Sequence, residues 1–389
     1  MKCWKNKTIN NICKILDNKR VPISKKNRIS GIYPYYGASG IVDYIDKYIF
    51  DEELVLIGED GAKWGAFENS AFIVNGKYWV NNHAHILKPN NEILINKFLV
   101  YFLNYSNLEK YITGATVKKL NQQKLKQIEI PLPPLKEQER IVGILDESFA
   151  KIDESIKILE QDLLNLDELM QSALQKAFNP LKDNAKENYK LPQGWEWKSL
   201  EEISEINPRN KIDDNIHVSF ISMDKILDGY SNDFSYKVKK WKEVKKGFTH
   251  FKQGDIGVAK ITPCFENRKS VIFDKLENGF GAGTTELHII RANESVYSKF
   301  LLWFFKTEWF IQNGILNMTG ATGHKRISKD FIKSLQIPLP PLKEQEQIAS
   351  HLDELSSHVK NLKQNYQAQI KDLQELKKSL LDKAFKGNL

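Results

Sequence analysis

Lysines and amide side chains cluster in several short stretches, and their chemistry suits contact with a polyanion. Residues 237–246 (KVKKWKEVKK) place six lysines around Trp241, and lysines in such a run can hold phosphate groups. Residues 113–126 (TGATVKKLNQQKLK) add glutamines to a glycine-containing turn. Because lysine can donate to guanine and glutamine can pair with adenine in the major groove, this second stretch suits the reading of bases.

Three further stretches have a similar composition: residues 59–65 (EDGAKWG), 260–269 and 319–326 (TGATGHKR). An ordinary solvated turn is the alternative interpretation of each, but the Thr-Gly-Ala-Thr turn occurs twice, which favours a functional role. We predict that the DNA-contacting residues are Lys63, Trp64, Thr116, Lys118, Lys119, Gln122, Lys124, Lys240, Trp241, Lys260, Thr262, Asn267, Arg268, Lys269, Thr322, His324, Lys325 and Arg326.

No constellation of residues predicts catalysis. The Asn-Pro pairs that begin at Asn179 and Asn207 lack the second proline of an adenine-methyltransferase motif, and no GxxxxGK[ST] phosphate loop occurs. The acid-x-Lys pattern at Glu243 arises easily by chance in a lysine-rich chain. His83 and His85 have no cysteine pair nearby, so packed or hydrogen-bonded histidines are a better interpretation than a zinc site. We therefore expect no catalytic residue, no metal and no cofactor.

The composition is that of an ordinary globular protein, with 41% hydrophobic and 27% charged residues in a chain of 389. A net charge of +8 and a pI near 9.0 are compatible with a polyanionic partner. The sequence contains no run of about 18 apolar residues, so we expect no membrane span. Three widely spaced cysteines and an N-terminus without an export signal favour a cytoplasmic protein.

One segment of the sequence occurs twice. Residues 130–139 and 337–346 both read IPLPPLKEQE, and the 50-residue stretches that begin with them share 22 identical residues at an offset of 207. A period of this length indicates two copies of one module, each a variable block followed by a shared block. A helix seam requires only its apolar residues to recur, so recurring surface residues favour a common partner. We predict that the partner-contacting residues are Lys136, Glu137, Gln138, Glu139, Lys343, Glu344, Gln345 and Glu346.

The shared blocks are predicted to be long helices. Apolar residues at 141, 145, 149, 152, 156, 159, 163, 166 and 170 follow an a/d heptad seam, and the second copy repeats it from residue 348 with Gln369 as a polar member. Paired prolines at 133–134 and 340–341 suit the first turn of each helix, while Pro180 and Gly387 suit the ends. About 42 residues at ~1.5 Å each make a rod of roughly 60 Å.

The variable blocks are predicted to be mixed α/β. Strand-like runs occur at residues 53–57, 71–74 and 85–87, and residues 98–105 and 299–310 have the pattern of short amphipathic helices. The basic excess lies in these blocks, because residues 1–129 hold 19 basic and 12 acidic residues whereas residues 130–180 hold 5 and 10. The predicted fold class is α+β, an internal repeat with approximate two-fold symmetry and two helices paired as an antiparallel coiled coil. The predicted divisions are block 1–129, helix 130–180, linker 181–190, block 191–336 and helix 337–389.

The whole chain resembles the specificity subunit of type I restriction-modification systems. The resemblance is carried by the repeated IPLPP element that leads to Glu-Gln and ends in Lys-Ala-Phe, and by YYGASGIVDYI (35–45) and AKITPCFENRK (259–269). It implies two target-recognition domains separated by spacer helices. It also implies a subunit that is not catalytic on its own, reads a two-part double-stranded DNA sequence, and recruits two methyltransferase (modification) subunits and two restriction (motor-nuclease) subunits.

Two other functions are compatible with parts of the sequence. The chain could be a stand-alone nuclease or methyltransferase with an unrecognised site, or a coiled-coil scaffold without a DNA role. Missing cofactor and metal motifs argue against the first, and the basic excess in both blocks argues against the second.

With antiparallel helices, we expect two unlike half-sites separated by an unread gap near one turn of DNA, about 34 Å.

Overall fold

Two compact units make up the chain in a computed structural model, which describes residues 4–178, 191–321 and 323–389. The first unit comprises residues 1–159 and 368–389, and the second comprises residues 160–367. Each unit therefore contains one variable block together with a part of each long helix. The predicted linker at 181–190 and Pro180 lie outside the described residues.

The strands of the first unit form two four-stranded sheets and one separate pair. Their bounds are β1 (Lys5–Thr8), β2 (Cys13–Ile15), β3 (Ser30–Gly37), β4 (Gly40–Ile45), β5 (Phe50–Asp51), β6 (Leu54–Gly58), β7 (Ala71–Val74), β8 (Lys77–Val80), β9 (Ala84–Pro89) and β10 (Glu129–Leu132). The sheet orders are β2-β9-β6-β7 and β4-β3-β8-β5, and β1 pairs with β10. The helices that begin here are α1 (Ile9–Ile12), α2 (Asn96–Tyr105), α3 (Gln122–Lys126) and α4 (Leu135–Ala177).

The second unit repeats this arrangement strand for strand. Its strands are β11 (Glu196–Ser199), β12 (Ser204–Ile206), β13 (His217–Ile221), β14 (Lys237–Lys240), β15 (Thr249–Lys252), β16 (Ile256–Ala259), β17 (Ser270–Ile272), β18 (Phe280–Gly283), β19 (Leu287–Ala292) and β20 (Gln336–Leu339). The helices that begin here are α5 (Leu200–Ile203), α6 (Trp241–Val244), α7 (Ser298–Phe305), α8 (Glu308–Leu316), α9 (Lys329–Ser334) and α10 (Leu342–Phe385).

The sheet orders of the second unit are β12-β19-β16-β17 and β14-β13-β18-β15, with β11 paired to β20. Adding ten to each strand number of the first unit gives these orders. The single parallel pairing also recurs, between β3 and β8 and between β13 and β18. The repeat that the sequence shows clearly only in the helices therefore extends to the whole fold, which confirms the predicted α+β internal repeat.

The predicted strands and the first short helix are confirmed, because their apolar runs form the buried centre of the unit. All five residues of β6 are buried, as expected for a central strand covered on both faces. The single helix predicted at 299–310 is wrong. It divides into α7 and α8 because Thr307 caps the second helix, its Oγ1 accepting from Phe310 N–H at 3.2 Å.

The long helices begin directly after the paired prolines, as predicted, and contain 43 and 44 residues. The predicted seam of α4 is confirmed, since none of its nine positions is exposed. The seam of α10 is less regular, because Leu362 and Leu376 are 39% and 46% exposed. The end of α10 at Phe385 precedes Gly387, which adopts φ +73° and so stops the helix as predicted.

The two helices run antiparallel within each unit, which confirms the predicted direction of pairing. In the first unit, Arg140 donates to Leu389 O at 2.9 Å, and Lys377 pairs with Asp153. In the second unit, Lys363 Nζ lies 2.6 Å from Asp167 Oδ1, and residues 172–177 of α4 share a trough with the start of α10. Sequence numbers along one helix therefore rise where those along the other fall.

Candidate nucleic-acid interface

Residues 113–119 of the first unit, called loop A, form a loop that is closed at its base by backbone hydrogen bonds. Thr113 N–H donates to Lys119 O at 2.9 Å, and Lys119 N–H donates to Thr113 O at 2.8 Å. Gly114 adopts φ +95°, and a Cβ there would lie 2.1 Å from a backbone oxygen across the loop. Only glycine fits this turn, and the tip, residues 115–118, is exposed.

Residues 319–326 of the second unit, called loop B, form the equivalent loop with one residue more. Thr319 N–H donates to Arg326 O at 3.0 Å, and Arg326 N–H donates to Thr319 O at 2.8 Å. Gly320 adopts φ +120°, in the same place as the glycine of loop A. The described residues of the tip are exposed. The recurring Thr-Gly-Ala-Thr sequence therefore marks the same loop in both units.

An ion pair holds the last residue of each loop. Lys119 Nζ lies 2.8 Å from Glu59 Oε1, whereas Arg326 contacts both carboxylate oxygens of Glu286 at 2.9 Å. The hydrogen bond from Arg326 holds the pKa of Glu286 below its ordinary value. The acid follows β6 in the first unit but precedes β19 in the second, so different positions supply the same type of contact. These two cations are paired within the chain, while the loop tips beside them are exposed.

A buried group beside loop A contains Asp17, Glu59 and His85, which among the described residues is the one group close enough to ligate a metal. Cations already lie in this group, because Arg20 pairs with both carboxylates and Lys119 pairs with Glu59. Burial alone would raise the pKa of Asp17, but hydrogen bonds and the charges of His85 and Arg20 hold it below its ordinary value. The positive charges of Arg20 and Lys119 therefore offset the negative charges of the two carboxylates, and the ion pairs connect β6 and β9 to loop A.

The structure places several predicted contact residues of the first unit on loop A or directly after it. Thr116 and Lys118 are exposed at the tip of loop A, and Gln122 and Lys124 follow on α3. Gln122 Nε2 also donates to Asp17 Oδ2 at 3.1 Å. Exposed polar side chains therefore lie both at the tip of loop A and at the start of α3.

The prediction for Trp64 is wrong. Its ring is 6% exposed, and its Nε1 donates to Gly58 O at 3.1 Å. Its neighbour Lys63 is exposed. The tryptophan belongs to the core of the first unit, where its large apolar surface is removed from water.

In the second unit, the structure brings two separate predicted stretches together. Thr262 N–H donates to Lys325 O at 3.1 Å, and Lys260 O accepts from Ile327 N–H at 3.0 Å. Lys260 and Thr262 therefore lie against loop B, whose tip exposes His324 and Lys325. The predicted residue Thr322 lies outside the described residues.

The remaining residues of the 260–269 stretch point elsewhere. Arg268 Nε donates to Lys306 O at 3.2 Å and its guanidinium pairs with Glu308, while Lys269 Nζ donates to Met223 O at 3.3 Å. Asn267 is exposed. Arg268 and Lys269 therefore hold the fold together, and the structure does not bring them to loop B.

The prediction for Trp241 is also wrong. Its side chain is 2% exposed and packs edge-on against His250 with ring centroids 4.5 Å apart. Lys240, on the edge strand β14, is partly exposed. The lysines around Trp241 thus surround a core residue and not an exposed aromatic platform.

Sequence reasoning missed Arg209. A cleft of about 320 Å³ in the second unit is lined by Arg209, His250 and Lys260. Arg209 Nη1 lies 3.1 Å from Phe248 O and 3.3 Å from His250 Nε2. The signal was present in the basic residue after Asn207-Pro208, but only the strand pairing of the second unit brings it beside Lys260.

The repeated element at the start of each long helix is largely used inside the protein. Gln138 and Gln345 are 0% and 1% exposed, so the prediction that they lie on a partner surface is wrong. Glu137 pairs with Arg140 on the same helix, and Glu344 accepts from Trp195 Nε1 at 3.2 Å. Of the predicted partner-contacting residues, Lys136, Glu139, Lys343 and Glu346 are exposed.

The repeated aspartates of the long helices also have internal partners. Asp146 accepts from Tyr101 Oη at 2.5 Å and from Lys97 Nζ at 2.7 Å. The equivalent Asp353 accepts from Trp303 Nε1 at 2.9 Å and from Lys299 Nζ at 2.6 Å. Each aspartate therefore fixes the helix that follows β9 or β19 in its unit.

The Lys-Ala-Phe end of α10 packs within the first unit, and that of α4 packs within the second unit. Phe385 at the end of α10 contacts Phe98 of the first unit, with ring centroids 5.4 Å apart. Phe178 after α4 contacts Phe300 of the second unit at 4.9 Å. Aromatic packing of this kind stabilises each unit, and it explains why this end recurs.

One repeated apolar pair has no such explanation. Leu169 and Leu376 are 207 residues apart and are 47% and 46% exposed. Each lines an apolar trough between the paired helices, within the second and the first unit respectively.

Comparison with known proteins places this arrangement in a family. Residues 1–163 and 192–372 match the family model described as the type I restriction modification DNA specificity domain. Over 90% of its length the chain is 30% identical to a putative type I restriction enzyme specificity subunit, S.HindORF215P of Haemophilus influenzae, of which it covers 87%. It is also 43% identical over 218 residues to the type I restriction enzyme EcoAI specificity subunit of Escherichia coli. That match covers 55% of this chain and 37% of the relative, so the chain spans about a third of that protein's length.

Solved structures share the fold. A chain from a structural study of complex assembly and conformational transition of the type I R-M system superposes with a TM-score of 0.73 at 18% identity, covering 100% of this chain and 99% of that one. The HsdS subunit from Thermoanaerobacter tengcongensis gives a TM-score of 0.57 at 18% identity, with 100% and 98% covered.

The chain consists of two units with the same strand order and equivalent loops. The chain belongs to the type I restriction-modification DNA specificity family. Among the described residues, no helix has the length and apolar character needed to cross a membrane.

Proposed function

We propose that this chain reads a two-part double-stranded DNA sequence for a type I restriction-modification complex, each unit reading one half-site. The observation that carries the proposal is the pair of equivalent loops, A and B, which are closed by the same backbone hydrogen bonds but expose different side chains. Lys118 is exposed in loop A, and His324 and Lys325 are exposed in loop B. The same framework with different tips is suited to two unlike targets.

Phosphate contacts position a protein on DNA, while groups that reach base edges supply specificity. In this proposal the tips of loops A and B read bases. The cleft lined by Arg209 and Lys260 holds the backbone beside loop B. Lys63, Lys124, Lys240 and Asn267 contribute to the surrounding surface.

The proposed partners are two modification and two restriction subunits, and the chain itself supplies no catalytic group. The surface offered to a modification subunit comprises Lys136, Glu139 and Leu376 in the first unit. The equivalent set in the second unit is Lys343, Glu346 and Leu169. Support comes from their exposure and from their recurrence in both copies of the repeat.

We also propose that the paired helices fix the number of unread base pairs between the half-sites. Removing one heptad from α4 and the matching heptad from α10 should shorten the gap and leave both half-sites unchanged. Sequencing of methylated sites in cells that carry this variant with a modification subunit measures both quantities. A one-part methylated motif, or a gap that is unchanged in the variant, contradicts this proposal.

A further inference from the structure

We infer that His85 and His288 are positioning residues that hold the roots of loops A and B, so that each histidine controls recognition by its own unit. The inference rests on the proposed function for its DNA readout, but its geometric basis is independent. Both side chains are buried, at 0% and 4% exposure, and neither reaches the surface that DNA would contact.

The two histidines occupy the same position in the two sheets. His85 lies opposite Ile57 in the pairing of β9 with β6, and His288 lies opposite Val258 in the pairing of β19 with β16. Strand numbers and register therefore make them equivalent, and an isoleucine follows each histidine, Ile86 in the first unit and Ile289 in the second.

Each ring is bonded to the residue that directly follows its loop. His85 Nε2 lies 2.6 Å from Leu120 O, the first residue after loop A. His288 Nε2 lies 3.1 Å from Ile327 O, the first residue after loop B. Because a buried carbonyl without a partner is costly, this bond fixes where each loop returns to the sheet.

The opposite ring nitrogen is also held in both units. In the first unit, Nδ1 of His85 lies 2.5 Å from Asp17 Oδ2, and Asp17 Oδ1 accepts from Ile86 N–H at 2.9 Å. In the second unit, Asn207 Nδ2 approaches Nδ1 of His288 at 3.4 Å, and Asn207 Oδ1 accepts from Ile289 N–H at 2.8 Å.

Asp17 in one unit and Asn207 in the other thus play the same part. Each contacts Nδ1 of the histidine and accepts from the backbone N–H of the next residue, while Nε2 of the histidine contacts the carbonyl that follows the loop. Asn207 can donate only to an unprotonated Nδ1, which leaves Nε2–H of His288 to donate to the carbonyl. Burial lowers the pKa of His288, in agreement with this neutral tautomer. Both units have a histidine at this position although the residue beside its Nδ1 is charged in one unit and neutral in the other. The feature common to both units is the contact between Nε2 and the carbonyl of the residue that follows the loop.

His288→Ala and His288→Gln in the full chain test this inference, because glutamine keeps an N–H donor that can reach Ile327 O. The first measurement is hydrogen exchange at the amides of Thr319 and Arg326. We expect exchange to quicken at least tenfold in the alanine variant and to stay near the wild-type rate in the glutamine variant, with loop A unaffected. Unchanged exchange in His288→Ala overturns the inference without any reference to DNA.

The second measurement is the ratio of affinities for DNA with an intact and a scrambled second half-site, with the chain assembled with its modification subunit. We expect His288→Ala to lose at least tenfold of this discrimination, His288→Gln to restore most of it, and discrimination at the first half-site to persist. Equal loss at both half-sites, or no rescue by glutamine, overturns the positioning role. A wild-type complex that itself shows no discrimination overturns the proposed function instead, and the exchange measurement still decides the inference.

Discussion

Gln138 and Gln345 make the same three hydrogen bonds at the starts of the two long helices. Gln138 Oε1 accepts from Ile95 N–H at 2.9 Å, and its Nε2 donates to Ile93 O and Pro133 O, both at 2.8 Å. Gln345 repeats this pattern, with Oε1 accepting from the backbone N–H of Tyr297 at 2.8 Å. Its Nε2 donates to Ser295 O at 3.2 Å and to Pro340 O at 2.8 Å. Each glutamine joins the helix start to the loop that precedes α2 or α7.

We predict that Gln138→Ala destabilises the first unit by roughly 2–4 kcal/mol, because it leaves three backbone groups, one buried and two partly buried, without their partners. Chemical denaturation followed by hydrogen exchange at Ile95 measures the change. Glu139→Ala is the matched control, since an exposed residue next in sequence should change stability by less than about 0.5 kcal/mol. Equal stability of the two variants would contradict the assigned role of the glutamine.

The glutamines also show where sequence reasoning reaches its limit. The repeat, the helix starts and the heptad seam follow from local patterns, and the structure confirms them. Burial of Gln138 could not be predicted, because two of its three partners, Ile93 and Ile95, lie 45 and 43 residues away in sequence, in a loop without a recognisable motif. An exact repeat of polar residues was open to either interpretation until the contacts of each residue were known.

Part of the candidate site could likewise be predicted from local sequence, and part could not. The repeated Thr-Gly-Ala-Thr turn correctly marked two equivalent loops, because glycine at positive φ leaves a signal in the sequence. Trp64 and Trp241 were misassigned, since a tryptophan beside lysines reads the same whether its ring is buried or exposed. Arg209 was missed because its neighbours in the cleft come from distant strands.

The exposed lysine of loop A should contribute to DNA binding by charge. We predict that Lys118→Ala weakens binding roughly 3- to 10-fold and lowers the slope of log affinity against log salt by about one. Fluorescence anisotropy over a salt series measures both quantities in the assembled complex. Lys157→Ala, an equally exposed lysine on α4, serves as the control. An identical salt slope for Lys118→Ala and the wild type would rule out a phosphate or base contact at this position.

Stability of the second unit should fall as the pH is lowered below about 6.5. Burial lowers the pKa values of His250 and His288 in the folded chain, so the unfolded state binds protons more readily over this range. Proton uptake then favours unfolding, and stability present above the ordinary histidine pKa is lost towards the lower folded values. Denaturation between pH 7.5 and 5 measures the trend. In the His250→Gln, His288→Gln double variant, that part of the pH dependence should disappear, and its full persistence would assign it to other groups.

The repeated exposed leucines should matter for assembly. We predict that Leu376→Asp and Leu169→Asp each weaken the capture of one modification subunit at least tenfold, because a carboxylate in an apolar contact must be desolvated. Analytical ultracentrifugation of the mixed subunits counts those bound. Leu164→Asp is the control, since Leu164 is 59% exposed but its equivalent at position 371 is a lysine. If the control and the test variants assemble alike, the recurrence of Leu169 and Leu376 has another cause.

An exchange of the two loop tips tests whether each loop reads one half-site. In this experiment residues 115–118 and 321–325 are exchanged in the full chain, and methylated sites are sequenced in cells that also carry the modification subunit. We expect the wild type to methylate a motif of two short unlike half-sites around an unread gap. In the exchanged variant, the bases recognised within both half-sites should change and the gap length should stay the same. A single continuous motif in the wild type, or a motif unaltered by the exchange, would show that loops A and B do not read the two half-sites.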